Sequence, residues 1–196
     1  MHSRIGTMAD FKLLDLFTGQ TPLFAEEGYK LYDGTKVPGV DCAALLHYGA
    51  GILFKAAAHV WDFKGSPCSI EIGKYKEPLR KFVCDGVDLP SNVIISVGIS
   101  SKKPDFIGFV PPSQMMEPQG VKFTFYVSGV LYTLRFGDDI PEAHRQTAFS
   151  SQNFKLIFLI DDLSDVGRDI MRQLVANSKP SPKLEQFMKK HFPPKA

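Results

Sequence analysis

Residues 121–136 constrain the fold of this chain more than any other stretch. A two-residue turn at Ser128-Gly129 sets Val127 opposite Val130, Phe125 opposite Tyr132, Phe123 opposite Leu134 and Val121 opposite Phe136. Strand side chains alternate with a period of two, so all eight point to one face. Thr124 with Thr133 and Tyr126 with Leu131 share the other, more polar face. A slip of one residue would turn the whole apolar set toward water, so turn and hydrophobic pattern specify one register. The register has one cost. Lys122 falls opposite Arg135, a like-charge pair tolerated where both ends reach water.

Other strands can be placed around that hairpin. Val93, Ile95, Val97 and Ile99 alternate with Ile94, Ser96, Gly98 and Ser100, the pattern of a half-buried strand. Residues 105–110 are a candidate neighbour for it, and the proline-rich residues 111–118 read as a linker. Residues 154–160 are apolar on both faces apart from Lys155, as a central buried strand would be. Residues 29–39 read as a hairpin or turn around Asp33-Gly34. Short strands are expected at 60–63 and 69–72.

Helical signals flank the strands. Residues 10–17 carry a broad apolar face with Gly19 placed to end the helix. Asp41 can cap a helix running through Tyr48. Near the C-terminus, Val166, Ile170, Met171, Leu174 and Val175 recur at helical spacing after Ser164. Ser181 and Pro182 then open a last helix with Leu184, Phe187, Met188 and His191 on one face, and Lys189 and Lys190 sit where the helix dipole favours cations. Strands and helices are therefore segregated. The expected fold is α+β, a mostly antiparallel sheet with a short N-terminal helix and two C-terminal helices packed on one face. The expected organisation is a disordered leader at 1–8, a single domain at 9–178, and a basic C-terminal helix and tail at 179–196.

Composition narrows the function classes. With 44% hydrophobic and 22% charged residues and a formal net charge of +2, the 196-residue chain reads as globular, and nucleic acid is not its expected partner. Sixteen phenylalanines point to an aromatic sheet core or to a lined cavity. Cys42, Cys68 and Cys84 are odd in number and lack CxxC spacing, which suggests free thiols in a reducing, intracellular compartment. No apolar run is long enough to span a membrane.

The chemical motifs are each incomplete. Asp161 and Asp162 follow an apolar strand as a magnesium ligand and base would, but Gly73-Lys74 runs into Tyr75 and no GxxxxGK[ST] cradle exists. Residues 137–145 gather Asp138, Asp139, Glu142 and His144 without an EF-hand or zinc spacing. Cys84 lacks a cysteine-protease signature and reads as a buried structural thiol, and His59 reads as a core histidine. Asp41, Asp62 and Lys64, in that order, resemble the active-site pattern of the PD-(D/E)xK nuclease superfamily, with Glu26 or Glu27 as the helix acid that family often uses. The resemblance implies a metal held by the two acids and a water oriented by the lysine.

Because each constellation lacks a part, the leading expectation is a non-catalytic protein-interaction or structural subunit. Its partner would be another protein or a second copy, with Phe187, Met188, Lys189 and Lys190 as candidate partner-binding residues. It needs no cofactor, and no metal-ligand set is assigned to it. The alternatives are a metal-dependent nuclease or hydrolase using Asp41, Asp62 and Lys64, and a small-molecule binder with a Phe-lined cavity.

Overall fold

The computed structural model describes residues 12–63, 66–101, 109–118, 120–127, 129–151 and 155–161. In chain order these form α1 (Lys12–Asp15), β1 (Phe24–Glu26), β2 (Tyr29–Asp33), α2 (Cys42–Ala58), β3 (Trp61–Phe63) and β4 (Ser66–Cys68). There follow α3 (Lys76–Arg80), β5 (Val93–Ser100), β6 (Phe109–Glu117), β7 (Gly120–Val127), β8 (Val130–Phe136), α4 (Glu142–Gln146) and β9 (Leu156–Ile160). Seven strands make one sheet in the order β1-β2-β9-β5-β8-β7-β6, while β3 and β4 pair separately. Every pairing is antiparallel except β5 with β9. The fold is thus α+β with a mostly antiparallel sheet. The segments expected to hold two C-terminal helices, together with the leader, lie outside the described residues.

The β7–β8 hairpin adopts the register expected from its side chains, from Val127 opposite Val130 to Val121 opposite Phe136. Its apolar face is the core: Phe123, Phe125, Tyr132 and Leu134 are fully buried, with Phe136 nearly so. The rings pack on one another, Phe123 edge-on to Phe136 at 5.6 Å and Phe125 stacked on Tyr132 at 5.2 Å. Strand β9 lies between β2 and β5, as its two apolar faces require.

Several local expectations are corrected. The first hairpin turns at Glu27-Gly28, where Gly28 takes a φ of 91°, and Asp33-Gly34 instead opens a 3-10 turn in which the Asp33 carboxylate accepts from the Thr35 amide. The linker-like prolines belong to edge strand β6. Two residues, Pro111 and Pro112, stand opposite Phe125 alone, a bulge at the sheet margin where missing N–H groups cost no ladder bonds. Strand β6 accordingly pairs with β7, and not with β5. Residues 69–72 form no strand; β4 ends at Cys68. Strand β5 is buried on both faces, because Ile94 packs against Ile140 and Ala148 beneath the α4 segment.

Helix α2 begins where Asp41 was expected to cap it, the carboxylate accepting from Ala44 N at 2.9 Å. It continues well past Tyr48, to Ala58. Gly49 and Gly51 disguise that length, since glycine costs about 1 kcal/mol in a helix interior. Gly49 is there for the sheet: a Cβ on it would stand 2.5 Å from Cδ1 of Tyr132. The helix therefore rests with its backbone on the Tyr132 ring, and the tyrosine hydroxyl donates to Leu45 O at 3.2 Å.

The two glycines make a paired test. Gly49→Ala should destabilise the protein by about 1–3 kcal/mol, since helix and sheet must separate to admit the methyl. Gly51→Ala meets only Val83 Cγ1 at 3.9 Å and should stabilise by up to about 1 kcal/mol. Denaturant titration of both variants checks the opposite signs.

Candidate interaction surface

Register alone aligns one row of side chains across the sheet on the face turned away from α2. Phe24 lies opposite Leu31, Leu31 opposite Phe158, and Phe158 opposite Gly98. Gly98 lies opposite Leu131, Leu131 opposite Tyr126, and Tyr126 opposite Val110. The row is apolar throughout, with Gly98 overlain by Ile160, whose Cδ1 a Cβ there would meet at 2.9 Å. Flanking it is a polar row in which Ser96 faces Thr133, Thr133 faces Thr124, and Thr124 faces Ser113. Burial on this face is uneven: Ile94, Val110, Tyr126 and Leu156 are buried, whereas Leu31, Leu131, Phe158 and Ile160 are only half-buried.

Toward β1 the surface opens further. Leu23 and Phe24 stand 51% and 49% exposed. Phe24 approaches Tyr29 with ring centroids 6.0 Å apart, and Tyr29 approaches Phe158 at 6.2 Å. The Tyr29 hydroxyl donates to Glu26 at 3.0 Å, a bond that, with the nearby carboxylate charge, raises its pKa above the ordinary phenol value. Asp161 ends the strand here, its amide donating to Gly28 O at 2.8 Å and its carboxylate accepting from Ser101 Oγ at 3.0 Å.

At the opposite margin the like-charge pair of the hairpin is resolved by an acid from the neighbouring strand. Glu117 of β6 meets Lys122 Nζ at 2.9 Å through one carboxylate oxygen and Arg135 Nε at 3.2 Å through the other. Burial pushes the Glu117 carboxyl up, but the lysine bond and the two cationic charges outweigh it and hold the pKa below the usual value. Nothing in the hairpin text announces this partner, because the acid lies on a strand masked by its prolines.

The candidate catalytic residues are described only in part. Asp41 and Asp62 flank the 17-residue helix α2, whose length is roughly 25 Å. Four residues lead from Ala58 to Asp62 and can return at most about 14 Å, so the two Cα atoms lie at least about 11 Å apart. Two aspartates at that separation can share one ion only if both side chains extend fully toward it. The Asp62 side chain and all of Lys64 lie outside the described residues, as do Asp162, Phe187, Met188, Lys189 and Lys190. Glu26 is occupied with Tyr29, and Glu27 sits in the exposed hairpin turn.

The acid-rich loop after β8 is a structural knot. Asp138 accepts from Asn92 Nδ2 at 2.8 Å and pairs with Lys74 Nζ at 3.0 Å, which together hold its carboxyl below the ordinary range. Arg145 donates to the carbonyls of Ser91, Asp138 and Ile140, fastening α4 to the loop before β5. Among the described residues no three histidines, cysteines or acids form a metal-holding group. Cys84 is exposed where a buried thiol was expected, and His59 is an exposed helix terminus and not a core residue. Burial raises the pKa of Cys42, which is half-buried at the start of α2. Among the described residues no helix is long and apolar enough to cross a membrane.

No protein family, curated protein or solved structure matches the chain.

The Glu117 bridge is testable by pH. The folded-state pKa is depressed, so its contribution is present in full above the unfolded carboxylate value near about 4.3 and is lost as pH falls through the lower folded value. Glu117→Gln should cost about 1–3 kcal/mol at neutral pH, and the gap from the parent protein should narrow below about pH 4.5. Urea melts of both proteins at several pH values read this directly.

Proposed function

We propose that this chain is a non-catalytic interaction or structural module that binds a protein partner along an edge of its sheet. One observation carries the reading. The strongly exposed large apolar side chains among the described residues are Leu23, Phe24, Val60, Val87 and Met116, and three of these lie on or beside the two terminal strands. An edge strand offers unpaired backbone groups, and apolar side chains beside them supply the adhesive surface that strand addition uses. Strand β6 is blunted by its proline bulge, while β1 carries no such guard, so β1 with Leu23 and Phe24 is the favoured edge. A second copy of the chain is a partner of the same chemistry. The basic C-terminal segment bearing Phe187, Met188, Lys189 and Lys190 belongs to the same proposal as a further contact.

The aromatic rings of the hairpin core pack on one another, which favours this reading over a Phe-lined ligand site.

The test is a comparison of the full-length chain with a Leu23→Ser, Phe24→Asp variant. The variant should melt within a few degrees of the parent, as surface changes do. A protein captured by the parent from extracts of its source cells should be bound at least tenfold more weakly by the variant, a loss typical of a central apolar anchor. Light scattering would show whether that protein is a second copy. Equal capture by parent and variant would remove β1 as the binding edge.

A further inference from the structure

We propose that the partner of the β1 edge is a basic, extended protein segment that adds as a strand with an arginine or lysine opposite Glu26. The inference rests on the binding edge proposed above and names the chemistry of what pairs there.

The edge is open along its length. Residues 23–28 are all exposed, and among the described residues nothing pairs with the outer side of β1. At the other terminal strand Pro111, Pro112 and Ser113 are buried. A strand can therefore add along β1, where the middle of β6 offers no such access.

One face of this edge is both acidic and aromatic. Register places Phe24, Glu26, Tyr29 and Phe158 on the same face, whereas Lys30 lies opposite Ala25 and so on the other. Among the described residues ion pairs form at Asp33, Glu77, Asp85, Glu117 and Asp138, and not at Glu26 or Glu27. The bond that Glu26 does receive comes from the Tyr29 hydroxyl, a neutral donor that leaves the carboxylate charge in place. Asp161 is fastened beside Gly28, which brings a third carboxylate to this end of the sheet. The formal charge of the whole chain is +2, so the acidity here is local and runs against the net charge.

A cationic side chain on an added strand would meet two complementary features at once. Opposite Glu26 it forms a cross-strand charge pair. Its head also reaches the rings of Phe24 and Tyr29, whose centroids stand 6.0 Å apart, as a cation over aromatic faces. A second copy fits less well at the same edge. Antiparallel self-pairing about Ala25 would set each Phe24 against a Glu26 and each Leu23 against a Glu27, crowding four glutamates along one short seam.

The test uses the full-length protein and two fluorescein-labelled dodecapeptides, one alternating arginine with valine and the other glutamate with valine. Anisotropy should show the arginine peptide bound about tenfold or more tightly, against the direction set by the net charge. Glu26→Lys should weaken the arginine peptide by about tenfold and strengthen the glutamate peptide. Glu142→Lys on α4, an equal change of charge elsewhere, should leave both affinities as they are. Both variants should melt within a few degrees of the parent, as surface changes do. Equal affinity for the two peptides, no saturable binding at millimolar peptide, or the same response in both lysine variants overturns the inference. Phe24→Ser judges the edge separately. If the two peptides bind equally and this variant weakens both, β1 stands as the edge and the charge preference alone fails. If neither peptide responds to it, the edge falls as well.

Discussion

The seat of helix α2 on the Tyr132 ring sets the spacing on which the rest of the core depends. A helix normally stands about 10 Å from a sheet because two layers of side chains lie between them; here one layer is missing at Gly49. The closeness lets the tyrosine hydroxyl reach Leu45 O, so the most deeply buried polar group of the hairpin is satisfied without water. Burial in turn drives the pKa of that hydroxyl far up, leaving it a permanent donor at any ordinary pH. The aromatic stack of Phe125 on Tyr132 also holds the ring.

The margins of the sheet follow a different logic. Strand β6 carries Pro111 and Pro112 where β7 has only Phe125 to offer, and the bulge lets the prolines sit where no amide is demanded. The same strand returns to regular pairing in time to bring Glu117 between Lys122 and Arg135. An edge that looks like a linker in sequence is thus both a strand and the source of the one acid that makes the hairpin's charged end tolerable.

What could be read from the residues and what could not divides along sequence distance. The β7–β8 register was legible because turn and alternation lie within 16 residues and agree with each other. The central place of β9 was legible from its two apolar faces. The length of α2 was not, since Gly49 reads as a helix breaker until Tyr132, 83 positions away, is seen to require it. Nor was the distance between Asp41 and Asp62 legible, because it depends on that same helix length. The resemblance to a nuclease pattern rested on order and approximate spacing, and neither fixes a separation in space. The aromatic run from Phe24 through Tyr29 to Phe158 joins residues from both ends of the described chain, and only the strand order reveals it.

That strand order also sets a sequence of events. Strand β9 is the last described strand to be synthesised, yet it lies between β2 and β5, pairing antiparallel with one and parallel with the other. Until residues 156–160 emerge from the ribosome, the sheet exists only as a two-stranded piece and a four-stranded piece, each with an open apolar edge. Closure therefore waits for β9, and it spends its loop-closure entropy on a pairing that spans more than 120 residues. A chain built this way folds slowly for its size and is most vulnerable to association with its neighbours in the interval before the keystone strand arrives.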